Sequence, residues 1–266
     1  MPTAKKQAQL LDNLRKYSRR YLNGKITALD EPGTRLVLSA FLTDVLGFAP
    51  QDEIKTEYMI KSTYADFVIE INGKRHFIIE VKPFSLSLID AHLRPAINFG
   101  ANEGIDWVML TNGRTISLYK ILYRKRAELR ELFTVDLANR AGLKKAVPLI
   151  YCITREGITG TGLDALWNKH RALDPVNVAG LLYGTPVLNY IKNALKSRFK
   201  QKFFEEEIIT AIDSIITTEM AIQNVKPVSA KKARISRISI PLLSVNPNVE
   251  IDLPNPMRKP LPVNTN

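Results

Sequence analysis

One stretch constrains the fold more than any other: YADFVIEINGKRHFIIEVK, residues 64–82. Two apolar runs, rich in β-branched and aromatic residues, flank Asn72-Gly73, a strong short-range signal for a β-hairpin. Yet Asp66, Glu80 and Lys82 lie inside those runs. A charge buried without a partner is expensive, so the fold must bring these groups to one another, to a bound ion or to water.

Side chains on a strand alternate faces. Tyr64, Asp66, Val68 and Glu70 therefore share one face, and His76, Ile78, Glu80 and Lys82 share another. Glu80 and Lys82 point the same way whatever the pairing, but Asp66 joins them only if the hairpin has the right parity. A regular two-residue turn pairs Ile71 with Lys74 and sends Glu80 to the far side of the sheet. A three-residue loop with Gly73 left-handed, or a bulge of equal effect, unites Asp66 with Glu80. The odd loop or its bulge equivalent is the expectation. Two carboxylates and an ammonium on one face suit Mg²⁺, which takes a few carboxylates plus water and phosphate oxygens. The metal would stabilise phosphate charge and promote hydroxide formation, and Lys82 would position the attacking water. The same residues also suit a plain salt-bridged hairpin, with Lys82 on Glu80.

The flanking pattern predicts an α/β fold: a mixed central sheet flanked by helices, followed by a helical appendage. Residues 1–25 read as a basic helix whose stripe of Leu10, Leu11, Leu14, Tyr17, Tyr21 and Leu22 docks on a core. Residues 26–158 read as the main domain. Asp30 caps a helix with Pro32 in its first turn and Gly47 at its end, burying Leu36, Val37, Ala40, Phe41 and Val45. Residues 54–60 alternate as a strand. A helix interrupted at Pro95 follows the hairpin, and two strands then meet at Asn112-Gly113, with Trp107 and Met109 in the core. Residues 123–133 have a helical reading and residues 134–137 begin a strand or loop. Residues 159–225 form the helical appendage, in which Trp167 and His170 pack. Residues 226–266, rich in Pro, Asn, Lys and Arg, read as an extended or disordered basic tail.

A net charge of +12 over 266 residues favours a polyanionic partner, nucleic acid being the commonest, with solubility as the plainer explanation. A single cysteine, Cys152, excludes an internal disulfide and a Cys-rich zinc site; it reads as a small buried hydrophobe. No apolar run reaches membrane-spanning length and no signal core is present, so a cytoplasmic location and no membrane partner are expected. No Gly precedes Lys-Ser or Lys-Thr, so the chain encodes no P-loop ATP site. Between Lys192 and Lys202, five cations are interleaved with Phe199 and followed by Phe203 and Phe204. This stretch reads as an amphipathic helix end or as a contact for a nucleic-acid backbone.

The spacing of Asp66 and Glu80-Val81-Lys82 resembles the PD-(D/E)xK nuclease superfamily, which has a restriction-endonuclease-like fold. The ordered set of EPGTRLVLSAFLTDVLGF, TEYMI, the charged hairpin and WVMLTNG with its following strand narrows the resemblance. Over roughly residues 26–122 it is similar to the N-terminal nuclease domain of type I restriction enzyme R subunits. The resemblance implies Mg²⁺- or Mn²⁺-dependent hydrolysis of DNA, with other restriction-system subunits as partners. Asp66 and Glu80 would be metal ligands and Lys82 the catalytic lysine, with Glu31 as the family's additional acid and Glu57 as a second candidate. Arg35, Lys61, His92 and Arg94 are the candidate phosphate contacts. The chain departs from the family where many R subunits carry a Gln-x-x-x-Tyr pair. Pro95 and Phe99 stand there instead, so the polar pair that positions substrate in the family is absent, which motivates a second expectation: a nucleic-acid-binding or assembly module with a relict site.

Overall fold

The computed structural model describes residues 2–24, 26, 28–60, 63–123 and 127–222, with the backbone alone for residues 57–60, 63 and 217–222. The chain separates into two compact units between Leu166 and Trp167. The expected tail at 226–266 lies outside the described residues.

The first unit is built on a six-stranded mixed sheet in the order β1–β6. β1 (Ile54–Ile60), β2 (Thr63–Ile71) and β3 (Lys74–Val81) form one antiparallel meander. β4 (Trp107–Thr111), β5 (Thr115–Tyr123) and β6 (Ala127–Asp136) form a second. A parallel β3–β4 pair joins them, and a parallel pair requires a crossover. Here the crossover is a 3₁₀ turn at Asp90–Leu93 running into helix α3 (Arg94–Glu103). Pro95 sits in the first turn of α3, where its missing N–H costs nothing, so it starts this helix instead of interrupting it. Phe77, Ile78, Ile79 and Val81 are all fully buried, as expected for a strand covered on both faces. Trp107 and Met109 are core residues as well.

Two expectations need correction. The helical reading of residues 123–133 fails: most of that segment is β6, continuous through Asp136 and paired along β5. Its charged residues gave helical spacing, but Phe133 and Val135 alternate as buried strand residues, and β5 offers an open ladder that only a strand can satisfy. Leu36 is also not part of a buried stripe. It is 76% exposed and Ala40 is half-buried, whereas Val37, Phe41 and Val45 are buried as expected, joined by Leu38 and Leu42. The helix α2 (Glu31–Ala40) widens into a π-turn at Phe41–Val45, which shifts the phase of the buried face.

Helix α1 (Ala4–Tyr21) belongs to this first unit. Leu10, Leu14 and Tyr17 are buried, and the Tyr17 hydroxyl donates to the Gly113 carbonyl at 2.9 Å. Lys5, Arg15, Arg19 and Arg20 remain exposed. Helices α4 (Leu143–Tyr151), α5 (Arg155–Thr159) and α6 (Gly162–Ala172) follow the sheet. Cys152, just past α4, is half-buried rather than buried.

The second unit contains α7 (Pro175–Leu182), α8 (Thr185–Phe199) and α9 (Glu205–Ile222). Its small core is Leu188, Ile208 and Ile212, with Ile191, Leu195 and Phe203 packed against them. Trp167 and His170 stack with ring centroids 5.8 Å apart.

Candidate active site

The charged hairpin closes through a two-residue turn in which Asn72 and Gly73 both have positive φ, the left-handed pair that suits the twist of the strands. Ile71 pairs with Lys74 and Glu70 with Arg75. The register then shifts, and Ile69 pairs with Phe77, leaving His76 as the extra residue of a bulge. The three-residue loop is therefore not formed, and the bulge supplies the parity instead. Beyond it Val68 pairs with Ile78 and Phe67 with Ile79. The next position sets Asp66 directly across from Glu80.

This pairing places the charges together. The Val81 N–H donates to Asp66 Oδ2 at 2.7 Å. Lys82 Nζ lies 2.6 Å from Glu80 Oε1. Helix α2 adds Glu31 at its first residue. The Asp30 carboxylate caps this helix by accepting from the Gly33 N–H at 2.8 Å, and the Phe84 N–H donates to the Leu29 carbonyl at 3.1 Å. That second bond ties the segment leaving β3 to the segment entering α2. Glu31 thereby comes within 3.8 Å of Lys82 Nζ. One turn along α2, Arg35 bridges Glu31 Oε1 at 2.9 Å and Asp66 Oδ1 at 2.5 Å.

Three carboxylates and two cations thus form one connected cluster at the carboxyl end of β3. Glu80 is 6% exposed and Asp66 10%, whereas Glu31 is 32% exposed, so the cluster opens toward the helix. Burial raises the Asp66 carboxyl above its usual range, against the Val81 N–H and Arg35, which lower it. Burial likewise pushes Glu80 up to about 7, opposed by Lys82 and aided by the negative charge of Asp66 and Glu31. Burial pulls Lys82 down, but its hydrogen bond to Glu80 and the surrounding carboxylates outweigh this and leave it raised. Lys82 is therefore a firmly protonated ammonium, suited to act as a donor and a charge rather than as a base.

A testable consequence concerns stability. The native state holds the Glu80 proton more tightly than the unfolded chain does. Stability therefore falls as pH rises from about 4.5, the ordinary value, to about 7, by about 3 kcal/mol at most. Below that window the penalty is absent, and above it the penalty is complete. Glu80→Gln removes the ionisable group, so it should flatten the dependence and stabilise the protein at pH 7.5 by about 1–2 kcal/mol. Urea unfolding in EDTA at pH 5 and pH 7.5 measures this. A variant that keeps the native pH dependence would show that another group is responsible.

His92 is half-buried, its Nδ1 accepting from the Ile89 N–H at 3.3 Å. Burial, and then the charge of Lys82, hold its pKa down. Arg94 is exposed at the first residue of α3. Arg35, read from the sequence as a phosphate contact, has its guanidinium on Glu31 and Asp66. The pairs Thr56–Phe67 and Tyr58–Ala65 set the Glu57 backbone across from Asp66, but its side chain, like the whole of Lys61, lies outside the described residues. Pro95 is exposed and Phe99 fully buried. The bridging position of Arg35 was the feature that sequence reasoning missed. Its one signal was the four-residue spacing from Glu31 on a helix.

Among the described residues, no group of three His, Cys, Asp or Glu side chains is arranged to hold a metal ion, and no helix is long and apolar enough to cross a membrane. No family model, curated protein or solved structure matches the chain.

Proposed function

We propose that this chain is a metal-dependent, restriction-endonuclease-like nuclease that hydrolyses DNA phosphodiester bonds, akin to the nuclease domain of type I restriction enzyme R subunits. The observation that carries this reading is the meeting of Glu31, Asp66, Glu80 and Lys82 from one helix and two strands. They meet at the carboxyl end of a strand in a parallel pair, where α/β sheets commonly bind ligands. A cytoplasmic location and partner subunits of a restriction system belong to the same reading.

The donor set fits a hard divalent cation such as Mg²⁺ or Mn²⁺, because it consists of carboxylate oxygens. Asp66 and Glu80 would hold the ion, with Glu31 or Glu57 completing the ligands. When bound, the ion polarises the phosphate and lowers the pKa of water. To open the carboxylates, Arg35 must release Asp66. Once released, its guanidinium becomes available to a phosphate oxygen. Lys82, anchored by Glu80, donates to the attacking water and to charge developing on the phosphate. His92 and Arg94, on the turn and helix after β3, are nearby candidates for backbone contacts.

A specific observation favours a second reading, a catalytically degenerate nucleic-acid-binding or assembly module. The fully buried Phe99 and the helix-starting Pro95 offer no polar group at the positions where the family carries Gln and Tyr. One experiment separates the two: supercoiled plasmid incubated with Mg²⁺ or Mn²⁺, with EDTA and Asp66→Ala as controls. Metal-dependent nicking that disappears in Asp66→Ala supports the nuclease. DNA retention with a steep salt dependence, no nicking and indifference to Asp66→Ala supports the binding module.

A further inference from the structure

The second unit carries a cationic, aromatic surface that the proposed hydrolysis does not use. Lys196, Arg198, Lys200 and Lys202 are all exposed, around the carboxyl end of α8 and the loop after it. None of them forms an ion pair with an acid among the described residues. Lys196, Lys200 and Lys202 line an open cleft with Asn193, Ser197 and Gln201. Every residue bordering that cleft is therefore a hydrogen-bond donor or a cation.

An amphipathic helix end would bury its phenylalanines, and only Phe203 obeys, packing against the small core. Phe199 is 55% exposed and Phe204 61%. Each has a cation over its ring: Arg198 at 5.5 Å from Phe199, and Lys202 at 5.5 Å from Phe204. Tyr190, one turn before Asn193 on α8, is exposed as well. Cations near a helix carboxyl end do offset its dipole. That accounts for Lys196 and Arg198, but not for Lys200 and Lys202 beyond the end, nor for bare aromatic rings beside them.

We infer that this surface binds single-stranded nucleic acid, with the lysines along the phosphates and Phe199 and Phe204 stacked on bases. Charge selects the polyanion, and the rings select the strandedness, because a duplex hides its base faces. A membrane-surface helix would segregate its apolar face from its charges. On α8 the apolar stripe Leu188, Ile191 and Leu195 is instead consumed by the unit's own core, and the exposed rings are interleaved with cations. Glu205, Glu206 and Glu207, in the first turn of α9, follow the patch in sequence. The inference does not depend on the nuclease reading.

The test is fluorescence anisotropy of the full chain with labelled oligothymidylate and with a duplex of equal length. It is run in EDTA so that cleavage plays no part, and with Asp66→Ala in parallel. Phe199→Ala/Phe204→Ala should weaken single-strand binding about tenfold or more and leave duplex binding and the salt slope unchanged. The Phe→Trp pair should restore binding, which excludes a folding defect. Lys196→Ala/Lys200→Ala/Lys202→Ala should reduce the salt slope. Unchanged single-strand affinity in the alanine pair overturns the proposal. So does phenylalanine-dependent binding to vesicles of phosphatidylserine and phosphatidylcholine without such dependence on the oligonucleotide.

Discussion

On the proposed nuclease reading, Lys82→Ala is expected to reduce metal-dependent DNA cleavage about a hundredfold to a thousandfold, the usual consequence of removing one preorganised donor from a developing charge. Lys82 Nζ is fixed by Glu80 at 2.6 Å and faces Glu31 at 3.8 Å, so it acts from a set position. The variant also leaves Glu80 without its hydrogen-bonded cation, which should raise the Glu80 pKa further. Part of the loss is therefore weaker metal binding. Measuring nicking across a Mg²⁺ titration separates the two: a deficit that persists at saturating metal belongs to Lys82 itself. Lys82→Arg retains the charge but not the compact ammonium, and should recover only part of the rate. Cleavage by Lys82→Ala at the native rate would remove the assigned role.

The second large effect is structural. Gly100→Ala in α3 should destabilise the protein by about 2–4 kcal/mol. On propensity alone the same change in an exposed helix would stabilise by about 1 kcal/mol. The sign reverses because an added Cβ meets the Ile105 carbonyl oxygen and the Tyr123 hydroxyl, with the Ile78 side chain also in tight contact at 3.2 Å. The Tyr123 hydroxyl donates to that same carbonyl at 2.9 Å, so the methyl both overpacks the interface and breaks a half-buried hydrogen bond. Urea unfolding measures the cost. In a Tyr123→Phe background the additional cost should shrink, because one of the clashing atoms is gone. A neutral or stabilising Gly100→Ala would mean that α3 does not pack this closely on the sheet.

Much of this protein was legible before its tertiary structure. Alternation alone put Glu80 and Lys82 on one face, because strand period does not depend on the partner. Asn72-Gly73 and Asn112-Gly113 announced their turns, and Asn72, Gly73 and Gly113 take the left-handed backbone that suits Asn and Gly. Asp30, Pro32 and Gly47 marked the ends of the α2 segment by local hydrogen bonding and backbone freedom. These signals are local, and a sequence records local preferences directly.

What the tertiary structure decided was non-local. The bulge at His76, not the turn, sets the parity that brings Asp66 to Glu80, and a bulge depends on how two strands settle against a shared core. The sixth strand displaced a helical pattern because β5 presented an unpaired edge. Arg35 became the bridge between Glu31 and Asp66 only when α2 was laid against the end of β3. The stretch holding Phe199 and Phe204 read as an amphipathic helix end or a nucleic-acid contact, and only the core of the second unit, filled by Phe203 and aliphatic side chains, showed that these two rings stay exposed. Gly100 gave no local signal, since its requirement comes from Ile105 and Tyr123, distant elements that approach its backbone. Strand period and turn chemistry act within a few residues, whereas register, edge pairing and close approach arise only when separate segments compete for the same space.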